Sequence, residues 1–292
     1  MRWRPGGVSS DIEDRRGEGA GGGRGPGIRV GLGGVLVLVV LSVVTGRNFL
    51  SILDSGPSVS VDDTGQGTQA PYQGAPGEDQ LVQFVSFVLD DVQNTWQEML
   101  PATGRDYRRA KLVLFTDSVQ SGCGYGESAM GPFYCPVDEK VYIDLGFYRE
   151  LKRRFGAPGD FAQAYVIAHE IGHHVQKIIG VSDRVRDVQT RAPHRANELS
   201  VRLELQADCF AGVWGNSTEK RDILEQGDAD EALAAASAIG DDRIQKSQTG
   251  RSNPETWTHG SSQQRVTWFK RGLDSGRLKD CDTFNTHLPV DE

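Results

Sequence analysis

The chain has 292 residues, enough for one or two domains, and its content of 37% hydrophobic and 25% charged residues is ordinary for a globular protein. Its 40 acidic residues outnumber its 32 Lys and Arg residues, which gives a formal net charge of −8. No basic stripe interleaved with aromatic residues is present, so the composition argues against a nucleic-acid-binding protein, which needs a basic face to neutralise phosphates.

The first part of the chain predicts a tail and a membrane anchor. Residues 1–29 are rich in Gly and Arg and lack apolar periodicity, which predicts a disordered cytoplasmic tail. Residues 30–46 are uncharged and mostly apolar, at the short limit for a membrane-spanning helix, and residues 47–53 extend the anchor. A cleaved signal peptide is the alternative, but no A-x-A-like site follows the apolar run. The upstream basic residues predict a single crossing with the remaining chain outside the cytoplasm, in the cell membrane.

A linker and one globular domain are expected to follow the anchor. Gly, Ser, Pro, Gln, Asp and Thr dominate residues 54–79 without any periodic pattern, which predicts a flexible linker. Residues 80–292 are then predicted to form the domain. Apolar residues recur at helical spacing from Leu81 to Trp96, and Pro101 ends the pattern, so the domain opens with a core helix.

The next segments predict strands and a disulfide-bonded loop. Residues 111–116 have the pattern of a buried strand, and residues 131–135 and 141–145 flank a turn, as in a hairpin. Four cysteines allow three pairings. Cys123 and Cys135 bracket a Gly-rich loop and are the expected pair, which leaves Cys209 for Cys281. A cysteine zinc site is the alternative, but no C-x-x-C spacing is present.

The pentad from His169 to His173 is the most informative motif of the chain. Gly159 and Asp160 offer a helix start and Gly180 a stop, so the pentad lies in the middle of a predicted helix. Residues four apart on a helix share a face, which lets His169 and His173 bind one zinc ion. Glu170 lies roughly 100° round from His169, too far for a ligand but close enough to reach a metal-activated water.

A second predicted helix, over residues 196–214, carries the expected third ligand. Glu204 and Asp208 are four residues apart in an otherwise apolar turn. A buried carboxylate is costly unless it is paired or bound to metal, so we predict that Glu204 binds zinc and Asp208 accepts an imidazole N–H. A surface ion pair between Glu204 and Arg202 is the alternative.

These motifs resemble a known family. The segment from Arg154 to Gln176, with residues 204–212 and 258–262, is similar to the bacterial neutral zinc metallopeptidase family, and the resemblance extends from about Gln80 to Gly272. More distantly, H-E-x-x-H with E-x-x-x-D is similar to the gluzincins. The resemblance implies an α+β fold, with a zincin-like metallopeptidase domain that is mostly helical with a small sheet, behind the N-terminal transmembrane helix.

The resemblance also implies two substrate contacts. In zinc peptidases with these motifs, the edge strand before the metal-binding helix pairs with an extended substrate backbone, a role that residues 131–135 would take here. Similar enzymes use a downstream histidine to stabilise the oxyanion, which makes His259 a candidate catalytic residue, with a structural role as the alternative.

The hypothesis is a membrane-anchored zinc peptidase, most simply an endopeptidase, with one Zn²⁺ per chain held by His169, His173 and Glu204. Glu170 is the expected general base for an activated water. The expected partners are a peptide or protein substrate and the lipid bilayer, and not nucleic acid. The alternative is an extracytoplasmic binding or scaffold protein with a metal-stabilised fold and little turnover, but a structural zinc site would usually have four protein ligands.

Overall fold

The computed structural model describes residues 1–18, 77–155 and 159–285, and these contain six strands and eight α-helices. The strands are β1 (Ile12–Asp14), β2 (Lys111–Phe115), β3 (Ser118–Ser121), β4 (Gly124–Glu127), β5 (Phe133–Cys135) and β6 (Lys140–Asp144). The helices are α1 (Glu78–Met99), α2 (Gly146–Phe155), α3 (Asp160–Ile178), α4 (Val181–Arg191), α5 (Ala196–Lys220), α6 (Asp228–Ala238), α7 (Asp241–Thr249) and α8 (Ser262–Ser275). The predicted α+β class, mostly helical with a small sheet, is confirmed.

A mixed sheet of four strands has the order β1-β2-β6-β5. β1 is parallel to β2 and β2 to β6, whereas β6 is antiparallel to β5. The predicted strand over residues 111–116 is therefore β2, and the predicted hairpin is formed by β5 and β6. Because β5 is the last strand of the sheet, one of its edges has no strand partner among the described residues. The β3–β4 hairpin forms a separate two-stranded sheet.

The prediction of a disordered tail is wrong for residues 1–18. β1 pairs with β2 in the register Ile12 to Leu112, and the Trp3 ring packs on Phe84 with centroids 5.3 Å apart. A three-residue strand at a sheet edge has too few side chains to show the alternation that reveals longer strands. Its position is fixed by groups about a hundred residues further along the chain.

Ion pairs help to hold β1 in this position. Asp11 lies 2.5 Å from Arg109 Nε and 2.9 Å from Lys111 Nζ, and Glu13 lies 2.8 Å from Lys140 Nζ. Asp11 is buried, and its burial raises the pKa of its carboxyl group, but Arg109 and Lys111 outweigh burial and lower that pKa. Acidic residues in the segment predicted to be a disordered tail thus form ion pairs with cations in or next to β2 and β6.

The position of β1 also corrects the predicted membrane topology. Within the described residues, no helix has the length and apolar content needed to cross a membrane, and the predicted anchor at 30–53 lies outside these residues. β1 and β2 are hydrogen-bonded in one sheet, so both lie on the same side of any membrane. One crossing between residues 30 and 46 would separate them. The predicted single-pass arrangement, with the tail in the cytoplasm and the domain outside, is therefore incompatible with this sheet.

The helices predicted from apolar periodicity are present with small changes at their ends. α1 starts at Glu78, two residues before the predicted domain boundary. Residues 54–76 of the predicted linker lie outside the described part of the chain. α3 starts at Asp160 after Gly159, as predicted, and ends at Ile178. α5 continues six residues beyond the predicted end at 214. Ser261 caps α8 and, with Gln264, forms a capping box.

Helices α5 and α8 approach each other through glycine. A methyl group at Gly272 would overlap the Cys209 carbonyl oxygen, and one at Gly212 would overlap that of Phe269. Both obstacles are backbone atoms, which cannot move without shifting a whole helix. This close approach places Asp208 of α5 beside Arg265 of α8, where they form an ion pair.

We expect Gly272→Ala to destabilise the protein by about 3 kcal/mol, the upper part of the range for overpacked cores. Alanine also has lower entropy than glycine in the unfolded chain, which would stabilise the folded protein by only about 0.5–1 kcal/mol. The overlap is larger, so we expect a net loss of stability. Urea unfolding measures the effect. Gly6→Ala is the control, because a methyl group at Gly6 meets no atom within 4 Å. Equal stability of the two variants would contradict the proposed packing.

Candidate metal centre

Helices α3 and α5 cross at the pentad, and a glycine permits the crossing. A methyl group at Gly172 would come within 3.0 Å of the Ala207 carbonyl oxygen. Gly172 occupies one of the two x positions in H-E-x-x-H. Because it has no side chain, α5 can lie directly against the face of α3 that carries the two histidines. This contact brings Glu204 next to the two histidines.

The structure places His169, His173 and Glu204 together. Their donor atoms all lie within 4.8 Å of one another. His169 Nε2 is 3.1 Å from Glu204 Oε2, and His173 Nε2 is 3.4 Å from Glu204 Oε1. Arg202 pairs with Glu198 at 3.0 Å, so the surface ion pair considered for Glu204 is not formed.

Asp208 holds His169 from the side away from Glu204. Asp208 is fully buried, and its Oδ1 lies 2.8 Å from His169 Nδ1. Burial raises the pKa of Asp208, but Arg265 and His169 outweigh it and lower that pKa to about 2. An ionised carboxylate can only accept, so the proton of this hydrogen bond lies on His169 Nδ1, and in the neutral ring the lone pair of Nε2 faces Glu204.

Two further residues complete the surroundings of Asp208. Arg265, only 2% exposed, donates from Nε to Asp208 Oδ2 at 2.8 Å and from Nη2 to Oδ1 at 2.9 Å. The Tyr165 hydroxyl donates to Oδ1 at 2.5 Å. A buried carboxylate with this number of donors stays charged, which keeps the His169 ring in one orientation.

Gln176 holds His173 in a comparable way. The Gln176 amide nitrogen donates to Leu203 O at 2.7 Å and to Gln206 Oε1 at 3.2 Å, so its Oε1 is left to accept. His173 Nδ1 lies 2.9 Å from that oxygen and is therefore the protonated ring nitrogen. His173 Nε2 consequently also presents a lone pair to Glu204.

Two imidazole lone pairs and a carboxylate facing one another repel unless a proton or a cation lies between them. Burial lowers the pKa of His169, but Asp208 and Glu204 outweigh burial and raise it to about 10. Burial likewise lowers the pKa of His173, and Glu204 reverses the direction. Protons and metal ions compete for such a donor set, and two imidazoles with one carboxylate suit zinc. Among the described residues, no fourth metal-binding side chain joins the group.

Glu170 lies beside this group in a cleft of about 1570 Å³ that all three donors also line. Glu170 is buried, and its carboxylate makes no hydrogen bond with any residue in the described part of the chain. A carboxylate without partners is free to accept a proton from a group in the cleft. Residues 130–134, which lead into and form the edge strand β5, line the same cleft.

His259 also lines this cleft, where its side chain is half exposed. Asp241, at the start of α7, accepts the backbone N–H groups of Thr258 at 2.7 Å and of His259 at 2.6 Å. Asp241 also contacts His259 Nδ1 at 3.3 Å. The hydrogen bond to Asp241 raises the pKa of His259 despite its partial burial. The Asp241–His259 pair thus favours a protonated imidazole in the cleft.

His174, the residue after the pentad, has a different environment. Its Nε2 donates to the Arg108 carbonyl oxygen at 2.6 Å, and its Nδ1 accepts from the Tyr134 hydroxyl at 2.9 Å. Burial lowers the pKa of His174, so the neutral form persists. Because Tyr134 belongs to β5, this hydrogen bond ties the edge strand to the metal-binding helix.

The cysteines form the two predicted disulfides. Cys123–Cys135 joins the loop after β3 to the end of β5, and Cys209–Cys281 joins α5 to the C-terminal segment. These are all four cysteines of the chain, so none is free. The alternative of a cysteine zinc site is therefore wrong.

Four residues of the site were missed by the sequence reasoning: Tyr165, Gln176, Asp241 and Arg265. Tyr165 precedes His169 by four residues and so shares its side of the helix, which is a usable signal. Arg265 precedes Trp268 and Phe269 by three and four residues, and a charge on an apolar face is a usable signal for a buried ion pair. Gln176 and Asp241 carry no comparable local signal.

Comparison with known proteins gave two kinds of match. A family model with the description "Putative neutral zinc metallopeptidase" matches residues 1–284. The uncharacterized protein YpfJ of Escherichia coli (strain K12) is 47% identical over 293 residues, which covers 99% of this chain and 100% of that protein. The uncharacterized protein Rv2575 of Mycobacterium tuberculosis (strain H37Rv) is 46% identical over 207 residues, 67% of this chain and 68% of that protein. No solved structure matches, so the zincin-like fold stays a prediction.

Proposed function

We propose that this chain, which belongs to the neutral zinc metallopeptidase family, hydrolyses peptide bonds with the residues gathered in the cleft. The observation that carries the proposal is the group of His169, His173 and Glu204, which shares one cleft with the unpartnered carboxylate of Glu170. When bound there, a zinc ion would supply a Lewis acid that lowers the pKa of a water molecule to about 7.

Glu170 acts as the general base in this proposal. Its carboxylate has no other hydrogen-bond partner in the described part of the chain, so it can accept the proton of the attacking water and later deliver it to the leaving amine. A binding or scaffold protein would not require this group. The absence of a fourth metal-binding side chain among the described residues also favours turnover over a purely structural site.

The edge strand orients the substrate. β5 has one edge without a strand partner, and residues 130–134 line the cleft. An extended peptide can add to this edge through main-chain hydrogen bonds, which bind any sequence and leave side chains to determine specificity. The Tyr134–His174 hydrogen bond holds the strand at a fixed distance from α3.

His259 stabilises the negative charge that develops on the carbonyl oxygen. For this role the ring must carry a proton on the nitrogen that faces the substrate while its Nδ1 donates to Asp241, which requires the imidazolium form. Asp241 favours this form by raising the pKa of His259. His259 is then a catalytic residue, and Asp241 is its positioning residue.

We expect Asp241→Asn to move the high-pH limb of the kcat/KM profile to lower pH. Asp241 raises the pKa of His259, so the active imidazolium persists at a pH where an ordinary histidine is neutral. An amide retains one oxygen for the backbone N–H groups but removes the charge. Asp242→Asn is the matched control, because Asp242 binds Ser262 rather than His259. Unchanged profiles for both variants, with full activity in His259→Ala, would assign His259 a structural role.

We propose further that residues 30–46 attach the chain to a membrane with residues 1–18 and the metal-binding domain together on its outer side. The apolar run supports attachment, the β1–β2 pairing supports a common side, and the two disulfides favour an oxidising compartment. Cysteines introduced at the exposed positions Val8 and Val137 should both react with a membrane-impermeant maleimide on intact cells. Labelling of position 137 alone would restore the single crossing, and labelling of neither would place the domain inside.

The proposed function is tested by incubating the purified chain with a peptide library, with and without a chelator, and identifying new termini by mass spectrometry. We expect cleavage that stops with the chelator and returns with zinc. Internal cuts would establish an endopeptidase. If zinc binds but no peptide in the library is cut, the scaffold alternative is favoured.

A further inference from the structure

One face of α7 forms a wall of the cleft. Arg243, Ile244, Lys246 and Ser247 all line it, at positions i, i+1, i+3 and i+4. Residues three and four apart lie on the same side of a helix, so this is one continuous face directed at the substrate cleft. The face carries two cations and one apolar side chain.

Neither cation is neutralised within the described part of the chain. Arg243 and Lys246 are exposed, and no ion pair among the described residues includes either one. Arg265 lines the same cleft but pairs with Asp208 at 2.8 Å. On α2, Arg153 pairs with Glu150 at 2.5 Å. Uncompensated charges in a concave surface concentrate counter-charged groups there.

The acidic residues nearest in sequence to these cations are engaged elsewhere. Asp241 accepts the backbone N–H groups of Thr258 and His259, as described above. Asp242 accepts from Ser262 N at 2.7 Å and from Ser262 Oγ at 2.8 Å. These bonds fix the start of α7 to the loop that carries His259. Arg243 therefore lies in the first turn of α7, next to the residues that are bonded to this loop, and Lys246 lies about one turn further along.

The remaining acidic residues of the lining lie on other elements. Asp144, at the end of β6, accepts from the backbone N–H groups of Asp117 at 3.0 Å and of Gly146 at 2.7 Å. Asp117 follows β2. The lining also includes Arg149 and Arg153 of α2, which pair with Glu78 and Glu150. Arg243 and Lys246 differ from them in having no ion-pair partner among the described residues.

We propose that Arg243 and Lys246 bind carboxylate groups of the substrate, so that the enzyme prefers peptides with acidic residues near the scissile bond. This inference rests on the proposed function and adds the substrate class to it. A carboxylate can come from an Asp or Glu side chain or from the C-terminus of the peptide. Both are recognised by the same chemistry, and matched peptides distinguish them.

The test compares matched peptides around a bond identified in the library, with Glu or Gln at each flanking position and with a free or amidated C-terminus. For the unmodified enzyme we expect kcat/KM to be about three- to tenfold higher for the Glu peptides, as for a charged group attracted to a concave site. The preference should shrink at high salt, which screens exposed charges. A fall in kcat/KM on amidation, with equal values for the Glu and Gln peptides, would identify the C-terminus as the source.

The decisive variant is Arg243→Glu combined with Lys246→Glu, for which the Glu-to-Gln ratio should fall to one or reverse. Lys220→Glu combined with Lys279→Glu is the control with the same change of net charge, because both lysines are exposed and neither lines the cleft. The control should keep the ratio of the unmodified enzyme. An unmodified enzyme that prefers neither Glu over Gln nor a free over an amidated C-terminus, or a preference that survives the α7 reversal, would overturn the proposal.

A binding measurement separates this inference from the proposed function. Fluorescent Glu and Gln peptides are titrated into the full chain carrying Glu170→Gln, with the α7 reversal and the lysine control in the same background. Tighter binding of the Glu peptide that depends on α7 supports carboxylate recognition even if no protein cleaves it, in which case only the proposed function fails. Equal binding of the Glu and Gln peptides, together with equal binding of their free and amidated forms, overturns the inference, whatever the hydrolysis.

Discussion

Glu170→Gln is expected to keep zinc and to lose peptide hydrolysis by roughly 10²–10⁴-fold, the usual effect of removing a general base. Glutamine has nearly the same shape but cannot accept a proton from water. Glu170 makes no hydrogen bond with the described residues and is not one of the three clustered donors, so its replacement leaves both the fold and the metal site in place. The measurements are kcat/KM with a cleaved library peptide and zinc content by mass spectrometry.

Glu127→Gln is the control for this experiment, since Glu127 is exposed and does not line the cleft. It should have the activity of the unmodified enzyme. Full turnover by Glu170→Gln would refute the proposed mechanism, and the scaffold alternative would then gain support. Loss of zinc together with activity would instead show that Glu170 takes part in metal binding.

Glu204→Gln is expected to weaken zinc binding by more than the roughly 10–100-fold that loss of an outer-shell partner costs. Glu204 is the acidic member of the three donors and lies within 3.4 Å of both imidazoles. A neutral amide removes the negative charge that balances a divalent cation and offers a weaker donor. Competition titration with a zinc-binding dye measures the affinity, and activity should fall with zinc occupancy.

Thermal unfolding with and without zinc shows whether the change is confined to the metal site. Zinc should stabilise the unmodified protein in proportion to its affinity and stabilise Glu204→Gln far less. Glu219→Gln, an exposed change on the same helix, should behave like the unmodified protein. Retention of full zinc affinity by Glu204→Gln would remove Glu204 from the ligand set.

The sequence was sufficient for the elements whose signal is local. The pentad lies in a helix whose start at Asp160 and apolar face were readable, because helix geometry fixes which residues four apart share a face. The same reasoning placed Glu204 and Asp208 on one side of α5. The hairpin of β5 and β6 and the Cys123–Cys135 disulfide, whose cysteines are 12 residues apart, were also predicted from local features of the chain. Cys209–Cys281, with a separation of 72 residues, was predicted only as the pair that remained.

Tertiary structure alone decided the contacts between distant segments. β1 pairs with β2 across about a hundred residues, and the ion pairs beside it leave no periodic trace in residues 1–18; this pairing is incompatible with the predicted single crossing. Arg265 reaches Asp208 only because Gly212 and Gly272 let α5 and α8 touch. Asp241 reaches His259 only because α7 folds back on the loop before α8. The periodicity of a segment shows which face of a helix or strand is buried. Which group is buried against that face depends on packing with distant segments, and no single segment contains that information.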